Sequence, residues 1–432
     1  MNKIGIRHED KSEWERRAPL VPHDVRLLAR EHGVEFEVES SPTRAFSDED
    51  YREAGAAMSD TLVDCPVLLG IKEIPPEKIE PGKTYVYFSH TIKGQAGNMP
   101  ALRRLLELRC QLIDHEQIVN EQNQRLVFFG PFAGHAGMID TLWAFGQRLK
   151  HEGFKTPFEE IAPAHRYRDL DEAKNAIAHV GDIIKRDGLP DSLVPLVCGF
   201  AGYGRVSQGA QEVFDALPVR EVSPDDLPGL IGDANTCCKV VFREEHMVKR
   251  VDDSAPFELQ EYYDNPELYR AAFFPSVRSL TLLINCVFWT PRYPRFITRE
   301  QLRELYAEQG KARLRVIGDI TCDVDGSLAC TVRSTTPNSP IYVYDPETEE
   351  TRDGVIGKGP VVLAVDFLPC ELPVDASCFF SDALRPLVPA LANADFNASL
   401  EGSGLPPELR RATIVYHGQL TEPYQYLEKF VK

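Results

Sequence analysis

The sequence predicts an α/β fold divided into two domains. Short, continuous apolar runs such as PVLLGIK (66–72) and TYVYF (84–88) alternate with segments of helical period. Continuous apolar runs are typical of strands that helices cover on both faces, as in a parallel sheet. A chain of 432 residues is also long for one domain and sufficient for two.

The predicted elements alternate along the chain. In the first part, strands are predicted at 3–7, 35–39, 66–72, 84–88, 111–113 and 125–130, and helices at 23–32 and 99–108. From about residue 133 a glycine-rich segment leads into a long helix, predicted at about 138–153. A second alternation then begins, with strands predicted at 195–198, 219–222, 314–319 and 361–365 and a loop followed by a helix over 202–217.

Composition excludes several classes of protein. The net charge of −18 disfavours binding to nucleic acid or to anionic membranes. The longest apolar run, near 280–288, is too short to span a bilayer, and the first residues indicate a strand and not an export signal. The ten cysteines contain no C-x-x-C pair, which favours free thiols in a reducing compartment and no metal site. We therefore expect a cytoplasmic protein whose partners are small molecules.

A glycine-rich loop predicts a dinucleotide site. The segment LVCGFAGYGRVSQGA (196–210) follows a predicted strand and opens a predicted helix. Gly202 allows a tight turn, Gly204 lets the backbone approach a diphosphate, and the small Ser207 allows the helix to pack closely. The alternative is a tight turn that binds no ligand. The predicted cofactor residues are Gly202, Gly204, Arg205, Val206, Ser207, Ser223 and Asn285.

The next strand bears on the choice of cofactor. A carboxylate at its end would bind the ribose 2′-hydroxyl of NAD(H). Glu221 falls within this strand, and Ser223 follows its end. Since Arg205 and Arg220 are available to a 2′-phosphate, the sequence favours NADP(H), while NAD(H) bound through Glu221 stays open.

Charged residues follow several of the predicted strands of the first domain. Lys72 ends one apolar run, His90 follows the next, and Glu116 follows a third. Ligands of open parallel sheets lie beyond the carboxyl ends of the strands, so these groups are candidates for a common site. A half-buried lysine and a histidine suit proton transfer near neutral pH. The alternative is that each is an ordinary surface or packing residue.

Several longer motifs then resemble a known family. These motifs are WERRAPLVP, LLGIKEIP, YFSHTIKGQAGNMP, LIDHE, RLVFFGPFAGHAGMID, TPF, GYGRVSQGA, INCVFW, GDITCDVDGS and LPCELPVDAS. Together they resemble the saccharopine dehydrogenase family, and most narrowly the lysine–ketoglutarate reductase half of bifunctional aminoadipic semialdehyde synthase. The motifs run nearly from end to end of the chain. Because bifunctional proteins would continue beyond residue 432 into a second, saccharopine-oxidising half, we expect a stand-alone reductase.

The resemblance implies two Rossmann-like domains with parallel sheets and an interdomain active-site cleft. Residues 1–132 and about 335–432 would form the substrate-side domain, similar to the N-terminal domain of alanine dehydrogenase. The tail, with a helix near 381–391, would return to that domain. Residues 133–334 would form the dinucleotide-binding domain. We expect a monomer or a small homo-oligomer.

The resemblance also implies a reaction. Such enzymes condense L-lysine with 2-oxoglutarate and reduce the imine with NADPH to give saccharopine. Lys72 and His90 would be the acid–base pair. The implied substrate residues are Arg17 and Lys93 at the carboxylates, Glu73 and Glu116 beside Lys72, and Asp319 and Asp323 near the nicotinamide.

Two alternatives remain. One is a related enzyme, either the NAD-linked, lysine-forming saccharopine dehydrogenase or an amino-acid dehydrogenase that acts on another amine and keto acid. The other is a nucleotide-sensing protein without catalysis. The presence of Arg17, Lys72, His90 and Asp319 together disfavours the sensing protein.

Overall fold

A computed structural model describes residues 1–252, 255–307 and 312–431, which divide into two compact units. Unit 1 comprises Met1–Phe129 and Pro373–Lys432, and unit 2 comprises Gly130–Leu372. Each unit contains a large sheet that is mostly parallel. The predicted α/β class with two sheets is therefore confirmed.

Unit 1 is built on a sheet whose central strands are fully buried. Its strands are β1 (Ile4–Ile6), β2 (Phe36–Glu39), β3 (Ala57–Ser59), β4 (Val67–Leu69), β5 (Thr84–Tyr87), β6 (Gln111–Asp114), β17 (Thr413–Tyr416) and β18 (Gln419–Leu420). Their order, over the described residues, is β18-β17-β6-β5-β4-β1-β2-β3. From β3 to β6 all neighbours pair parallel, whereas β17 and β18 add an antiparallel edge. The carboxyl ends of β1, β4, β5 and β6 therefore share one edge.

The helices of unit 1 bury apolar side chains against this sheet. They are α1 (Pro22–His32), α2 (Asp48–Glu53), α3 (Met99–Glu107), α11 (Pro373–Leu384), α12 (Val388–Asn393), α13 (Pro407–Arg411) and α14 (Glu428–Val431). In α1 a proline occupies the first turn, and Gly33 ends the helix at φ 66°, a conformation that favours glycine. One core cluster joins Ile4 and Val67 of the sheet to Phe380 of α11.

Unit 2 contains a second sheet of the same kind. Its strands are β7 (Leu196–Ala201), β8 (Val219–Glu221), β9 (Cys237–Phe242), β10 (Val248–Arg250), β11 (Tyr269–Ala271), β12 (Leu282–Asn285), β13 (Val316–Asp319), β14 (Ile341–Tyr344), β15 (Thr351–Asp353) and β16 (Val361–Leu363). The main sheet has the order β15-β14-β16-β13-β12-β7-β9-β8 over the described residues, and β10 pairs with β11. From β16 to β8 the pairing is parallel, and β14 and β15 are antiparallel.

The helices of unit 2 centre on one long, largely buried helix. They are α4 (Gly130–His151), α5 (Leu170–Asp187), α6 (Arg205–Phe214), α7 (Glu244–Met247), α8 (Leu259–Asp264), α9 (Phe274–Val277) and α10 (Arg299–Tyr306). Helix α4 begins well before the predicted start near residue 138. A Cβ on Gly134 would lie 1.9 Å from the Val206 carbonyl oxygen of α6. The glycines of this segment thus permit close helix packing and do not form a loop.

The chain returns to unit 1 later than predicted. The sequence placed this return at about residue 335, but unit 1 resumes only at Pro373. The reason is that β14, β15 and β16 all pair within the second sheet. The first boundary, at Phe129, lies close to the predicted residue 132.

The strand predicted at 125–130 is absent among the described residues. Apart from an isolated bridge between Arg125 and Val119, this segment is irregular, and helix α4 starts at Gly130. The edge of β6 where it would pair is occupied by β17, which comes from the far end of the chain. The phenylalanines of the segment pack on α11 instead, with Phe129 stacked 4.6 Å from Phe380 between ring centroids.

Two further expectations concern the surface and the thiols. Among the described residues, none of the helices is both long and apolar enough to cross a bilayer. Free thiols were expected, and Cys65, Cys198 and Cys370 are buried free cysteines, while Cys286 is a half-buried one.

Candidate functional site

The first group of predicted residues lies at the carboxyl edge of the unit 1 sheet. Lys72 and Glu73 follow β4, and His90 follows β5, the neighbouring strand. The Phe88 N–H donates to the Ile71 carbonyl at 2.9 Å, so the parallel pairing continues past both strand ends. The sequence predicted these residues at one sheet edge because the carboxyl ends of parallel strands lie together, and in the structure they lie at that edge.

His90 is held in a defined orientation by Glu73. The imidazole Nδ1 lies 2.7 Å from Glu73 Oε1, and the ring stacks beside Phe88. Burial raises the pKa of Glu73, but the hydrogen bond and charge of His90 and the nearby Lys11 outweigh it and lower that pKa to about 2. An ionised Glu73 favours a proton on Nδ1, which leaves Nε2 with its lone pair for proton transfer.

The backbone at His90 is also fixed. His90 has φ 49°, an uncommon conformation for a residue with a side chain, and Asn98 Nδ2 donates to its carbonyl at 3.0 Å. Before it, Ser89 N–H donates to the Asp114 carboxylate at 3.1 Å, and the Ser89 hydroxyl donates to the same group. Asp114, at the end of β6, therefore positions the turn that carries His90, and burial raises its pKa to about 6.

Lys72 is half-buried, and its ammonium makes no hydrogen bond or ion pair within the described ranges. Its backbone is held by a residue that the sequence reasoning missed. The two oxygens of Glu9 accept from the N–H groups of Ile71 and Lys72 at 2.7 and 2.8 Å. Burial, and then the charge of Glu15, raise the pKa of Glu9 to about 7. The strand-end rule, applied to β1, would have indicated Glu9 because it follows that strand.

The other predicted residues of unit 1 have different surroundings. The Arg17 guanidinium is buried against Phe129, and its Nε donates to Glu15 at 2.7 Å. Lys93 is exposed. Glu116 forms an ion pair with Arg125, and its N–H donates to Asp114 at 2.8 Å. Within the part of the chain that the structure describes, neither Lys93 nor Glu116 is joined to Lys72 by a hydrogen bond or ion pair.

The second group of predicted residues lies at the carboxyl edge of the unit 2 sheet. Gly202 follows β7 with φ 95°, and its N–H donates to the Phe242 carbonyl at 2.9 Å. Gly204 caps α6, and a Cβ there would meet nothing within 4 Å. Gly202 thus serves the turn, whereas the space beside Gly204 is open to a ligand.

The start of α6 has the local form that the sequence predicted. Arg205 is exposed, Val206 is half-buried, and Ser207 is fully buried, where its hydroxyl accepts from Gln211 Nε2 at 3.0 Å. The close packing of α6 is against α4, since a Cβ on Gly209 would lie 2.3 Å from the Pro131 carbonyl oxygen. The unpaired N–H groups at the start of such a helix suit a diphosphate.

A cavity of about 490 Å³ lies beside this loop within unit 2. Its lining includes Gly202, Tyr203, Gly204, Glu244, Tyr263 and Phe288. Glu244 accepts from the Tyr263 hydroxyl at 2.7 Å, while its Oε2 is buried without a hydrogen-bond partner in the described residues. An open glycine loop, an aromatic wall and a carboxylate oxygen without a donor fit a nicotinamide dinucleotide.

Asn285 and Asp319 end the adjacent strands β12 and β13 and bond to each other. Asn285 Nδ2 donates to Asp319 Oδ1 at 2.8 Å, and Asp319 also accepts from Thr331 and from the Cys322 N–H. Burial raises the pKa of Asp319 to about 6, and these donors oppose the rise. Asp323 is half-buried in the following turn, where its carbonyl accepts from Gly326 N–H. The Asn285 Oδ1 is buried without a partner among the described atoms.

The strand that follows α6 in the chain is not the strand that pairs with β7 on this side of the sheet. The strand after α6 is β8, but β9 lies between β8 and β7 in the sheet. Ser223 is exposed and only caps a short turn, and Glu221 forms an ion pair with Lys239 at 2.9 Å. Arg243, which follows β9, therefore occupies the position that sequence reasoning assigned to the end of β8.

The chain is similar to several known proteins. Residues 5–136 match the family described as alanine dehydrogenase/PNT, N-terminal domain. The chain is 38% identical over 453 residues to alpha-aminoadipic semialdehyde synthase of Arabidopsis thaliana, covering 99% of this chain and 41% of the relative. It is 28% identical to saccharopine dehydrogenase [NAD(+), L-lysine-forming] of Candida glabrata, covering 89% of this chain and 90% of the relative.

A solved structure of L-alanine dehydrogenase superposes with a TM-score of 0.63 at 17% identity, covering 100% of both chains, which shows a shared fold. The chain spans about two fifths of the length of the plant synthase. The resemblance predicted from the motifs is confirmed, since the chain is homologous to these synthases and dehydrogenases.

Proposed function

We propose that this chain, a homologue of saccharopine-forming and saccharopine-cleaving dehydrogenases, condenses L-lysine with 2-oxoglutarate and reduces the product to saccharopine with NADPH. The observation that carries the proposal is the pair at the edge of the unit 1 sheet. The ammonium of Lys72 makes no hydrogen bond or ion pair in the described chain, and the Nδ1 of His90 is bound to an ionised Glu73.

The reaction needs groups that move protons in both directions. The ε-amine of lysine attacks the carbonyl carbon of 2-oxoglutarate, which forms the C–N bond, and its nitrogen loses two protons, one after the attack and one as water leaves. The carbonyl oxygen then gains protons and leaves as water, which gives the imine. Lys72 and His90 would supply and accept these protons, because each has a side-chain nitrogen that can carry or release one.

The bound cofactor supplies the hydride that reduces the imine carbon. The residues that would hold it are Gly202 and Gly204 with the first turn of α6, together with Asn285 at the end of β12. Asp319 fixes Asn285 and so acts on the cofactor through it. Asp323 carries charge close to this pair, since it contributes to the raised pKa of Asp319.

The charges of unit 1 are consistent with substrates that carry several carboxylates. Lys93 is exposed and can form an ion pair with a substrate carboxylate. Arg17 is already bound to Glu15, so we propose that it contributes mainly by holding Glu15 beside Glu9. Glu73 would orient His90, and Glu116 would act through Asp114.

One alternative is supported by a specific comparison. The relative from Candida glabrata is named as NAD(+)-linked and lysine-forming, so the same pair of residues would then cleave saccharopine with NAD(+). Direction and cofactor are separable by experiment. The cytoplasmic location, and a monomer or small homo-oligomer that binds only small molecules, stay predictions.

The test is a direct assay of the purified chain with L-lysine, 2-oxoglutarate and NADPH. We expect oxidation of NADPH that depends on both substrates and saccharopine identified by mass spectrometry. The same mixture with NADH, and the reverse mixture of saccharopine with NAD(+), are run in parallel. Oxidation with another amine but not with lysine would overturn the substrate assignment. Inactivity in every mixture would overturn the proposed function.

A further inference from the structure

The residues that meet the adenosine ribose can be found from strand order. Dinucleotide-binding sheets have the strand order 3-2-1-4-5-6, in which strand 1 carries the glycine loop and strand 2 ends at the ribose of the adenosine. β7 is bordered by β9 and β12, and β9 takes the place of strand 2 because it lies between β7 and β8 and precedes β12 in the chain. Ala201 of β7 pairs with Phe242 of β9, and Gly202 and Arg243 follow these two paired residues directly.

Arg243 is placed over the glycine loop. Its guanidinium carbon lies 4.6 Å from the centroid of the Tyr203 ring, and Tyr203 stands between Gly202 and Gly204. The side chain is exposed, and in the described residues no carboxylate pairs with it. A guanidinium that stacks on an aromatic ring keeps its edge N–H groups available to an anion.

The other two arginines considered from the sequence are less suited to this position. Arg220 lies on β8, separated from β7 by β9, and donates to the Ile231 carbonyl at 2.7 Å and to Cys238 Sγ at 3.4 Å. Arg205 is the first residue of α6, on the diphosphate side of the loop. Of these three arginines, Arg243 is the one that follows β9 directly.

We infer that Arg243 binds the 2′-phosphate of the cofactor and thereby sets a preference for NADPH over NADH. This inference rests on the dinucleotide site of the proposed function. A 2′-phosphate is doubly charged and takes paired N–H donors well, which matches an exposed guanidinium. The neighbouring Glu244 has a buried oxygen without a donor, which would accept the 3′-hydroxyl of the same ribose.

The competing arrangement is also defined by these residues. If Glu244 accepts the 2′-hydroxyl, the site binds NAD(H), and Arg243 contributes nothing specific. The two arrangements make opposite predictions for nucleotides that differ only in the 2′-phosphate.

The experiment measures nucleotide binding by calorimetry, without substrates, using 2′,5′-ADP and 5′-AMP as probes. Wild type is expected to bind 2′,5′-ADP more tightly than 5′-AMP. Arg243→Met should weaken 2′,5′-ADP by about 10- to 100-fold, as expected for loss of charged hydrogen bonds, and leave 5′-AMP unchanged. Arg243→Lys should retain part of the affinity, and the control Arg220→Met should retain all of it.

Kinetics give a second readout. Arg243→Met should raise KM for NADPH by a similar factor and leave KM for NADH unchanged. Equal binding of both probes by wild type, or equal weakening of both in Arg243→Met, would overturn the inference. Because the binding assay needs no amine, a chain that discriminates the probes but is inactive with lysine would refute the proposed function and leave the role of Arg243 intact.

Discussion

The two units present different kinds of groups at the carboxyl ends of their strands. In unit 1 the groups left for a ligand are side chains, namely the Lys72 ammonium and the His90 ring. Glu73 orients the His90 ring, and Glu9 holds the backbone N–H of Lys72. In unit 2 the side chains at the same edge, Asn285 and Asp319, bond to each other, and the backbone around Gly204 is open. Proton transfer requires side chains that titrate, whereas a diphosphate is bound by backbone N–H groups. Under the proposed function, unit 1 would therefore move the protons and unit 2 would bind the cofactor.

The largest effect on activity is expected from removing the ammonium of Lys72, which is left for a ligand in unit 1. Lys72→Met is expected to lower kcat of the proposed reaction by about 100- to 10,000-fold, the range typical of general acid–base groups. The melting temperature should stay within a few degrees of wild type, because the ammonium has no ionic partner in the described chain. The control Lys150→Met changes a lysine on α4 whose side chain is 65% exposed. Activity of Lys72→Met within twofold of wild type would refute the role.

Glu73→Gln tests whether the orientation of the His90 ring depends on the negative charge of Glu73. Gln still accepts a hydrogen bond from His90 but lacks the negative charge, so kcat should fall by about 10- to 100-fold. Since the pKa of Glu73 is lowered to about 2, its ionised form stabilises the fold above about pH 4.5, and this contribution is lost as the pH falls towards 2.

The melting temperature of wild type should therefore fall more steeply than that of Glu73→Gln between pH 5 and pH 3. Glu77→Gln, which changes an exposed residue close by in sequence, serves as the control. Parallel melting curves for wild type and Glu73→Gln across this range would show that the carboxylate does not stabilise the fold through His90.

Two glycine substitutions separate ligand binding from packing in unit 2. A Cβ at position 204 would meet nothing within 4 Å, so Gly204→Ala should keep the melting temperature while weakening nucleotide binding by about tenfold. A Cβ at position 209 would lie 2.3 Å from a carbonyl oxygen of α4, so Gly209→Ala should destabilise the fold by about 1–3 kcal/mol. If both variants lost stability alike, the loop at Gly204 would be a packing feature.

The smallest expected effect concerns the buried carboxylate of Asp319 in unit 2. Burial raises the pKa of Asp319 to about 6, so the folded state retains a proton that the unfolded state loses above about pH 4. Wild-type stability should therefore decline between pH 4 and pH 6 relative to Asp319→Asn, by on the order of 1 kcal/mol. Thermal melts at pH 4, 5, 6 and 7 measure this difference. The exposed Asp325→Asn should follow wild type, and an Asp319→Asn curve that also follows wild type would contradict the assignment.

The sequence by itself determined the α/β class, the glycine loop and the positions of Lys72 and His90 at strand ends. These features depend on local properties, namely the apolar period of a strand, the φ that Gly202 must adopt, and the polarity change where a strand stops. Each can be read from a window of a few residues.

Only the tertiary structure decided which strands are neighbours and which polar groups meet. Because β9 lies between β7 and β8, Arg243 and not Ser223 follows the strand next to the glycine loop, and β17 pairs with β6 where a strand at 125–130 was expected. Glu9 reaches the backbone of Lys72 across more than sixty residues of sequence. Such contacts depend on which distant segments pair at a given sheet edge. Many segments could pair there, so a local sequence pattern does not predict which one does.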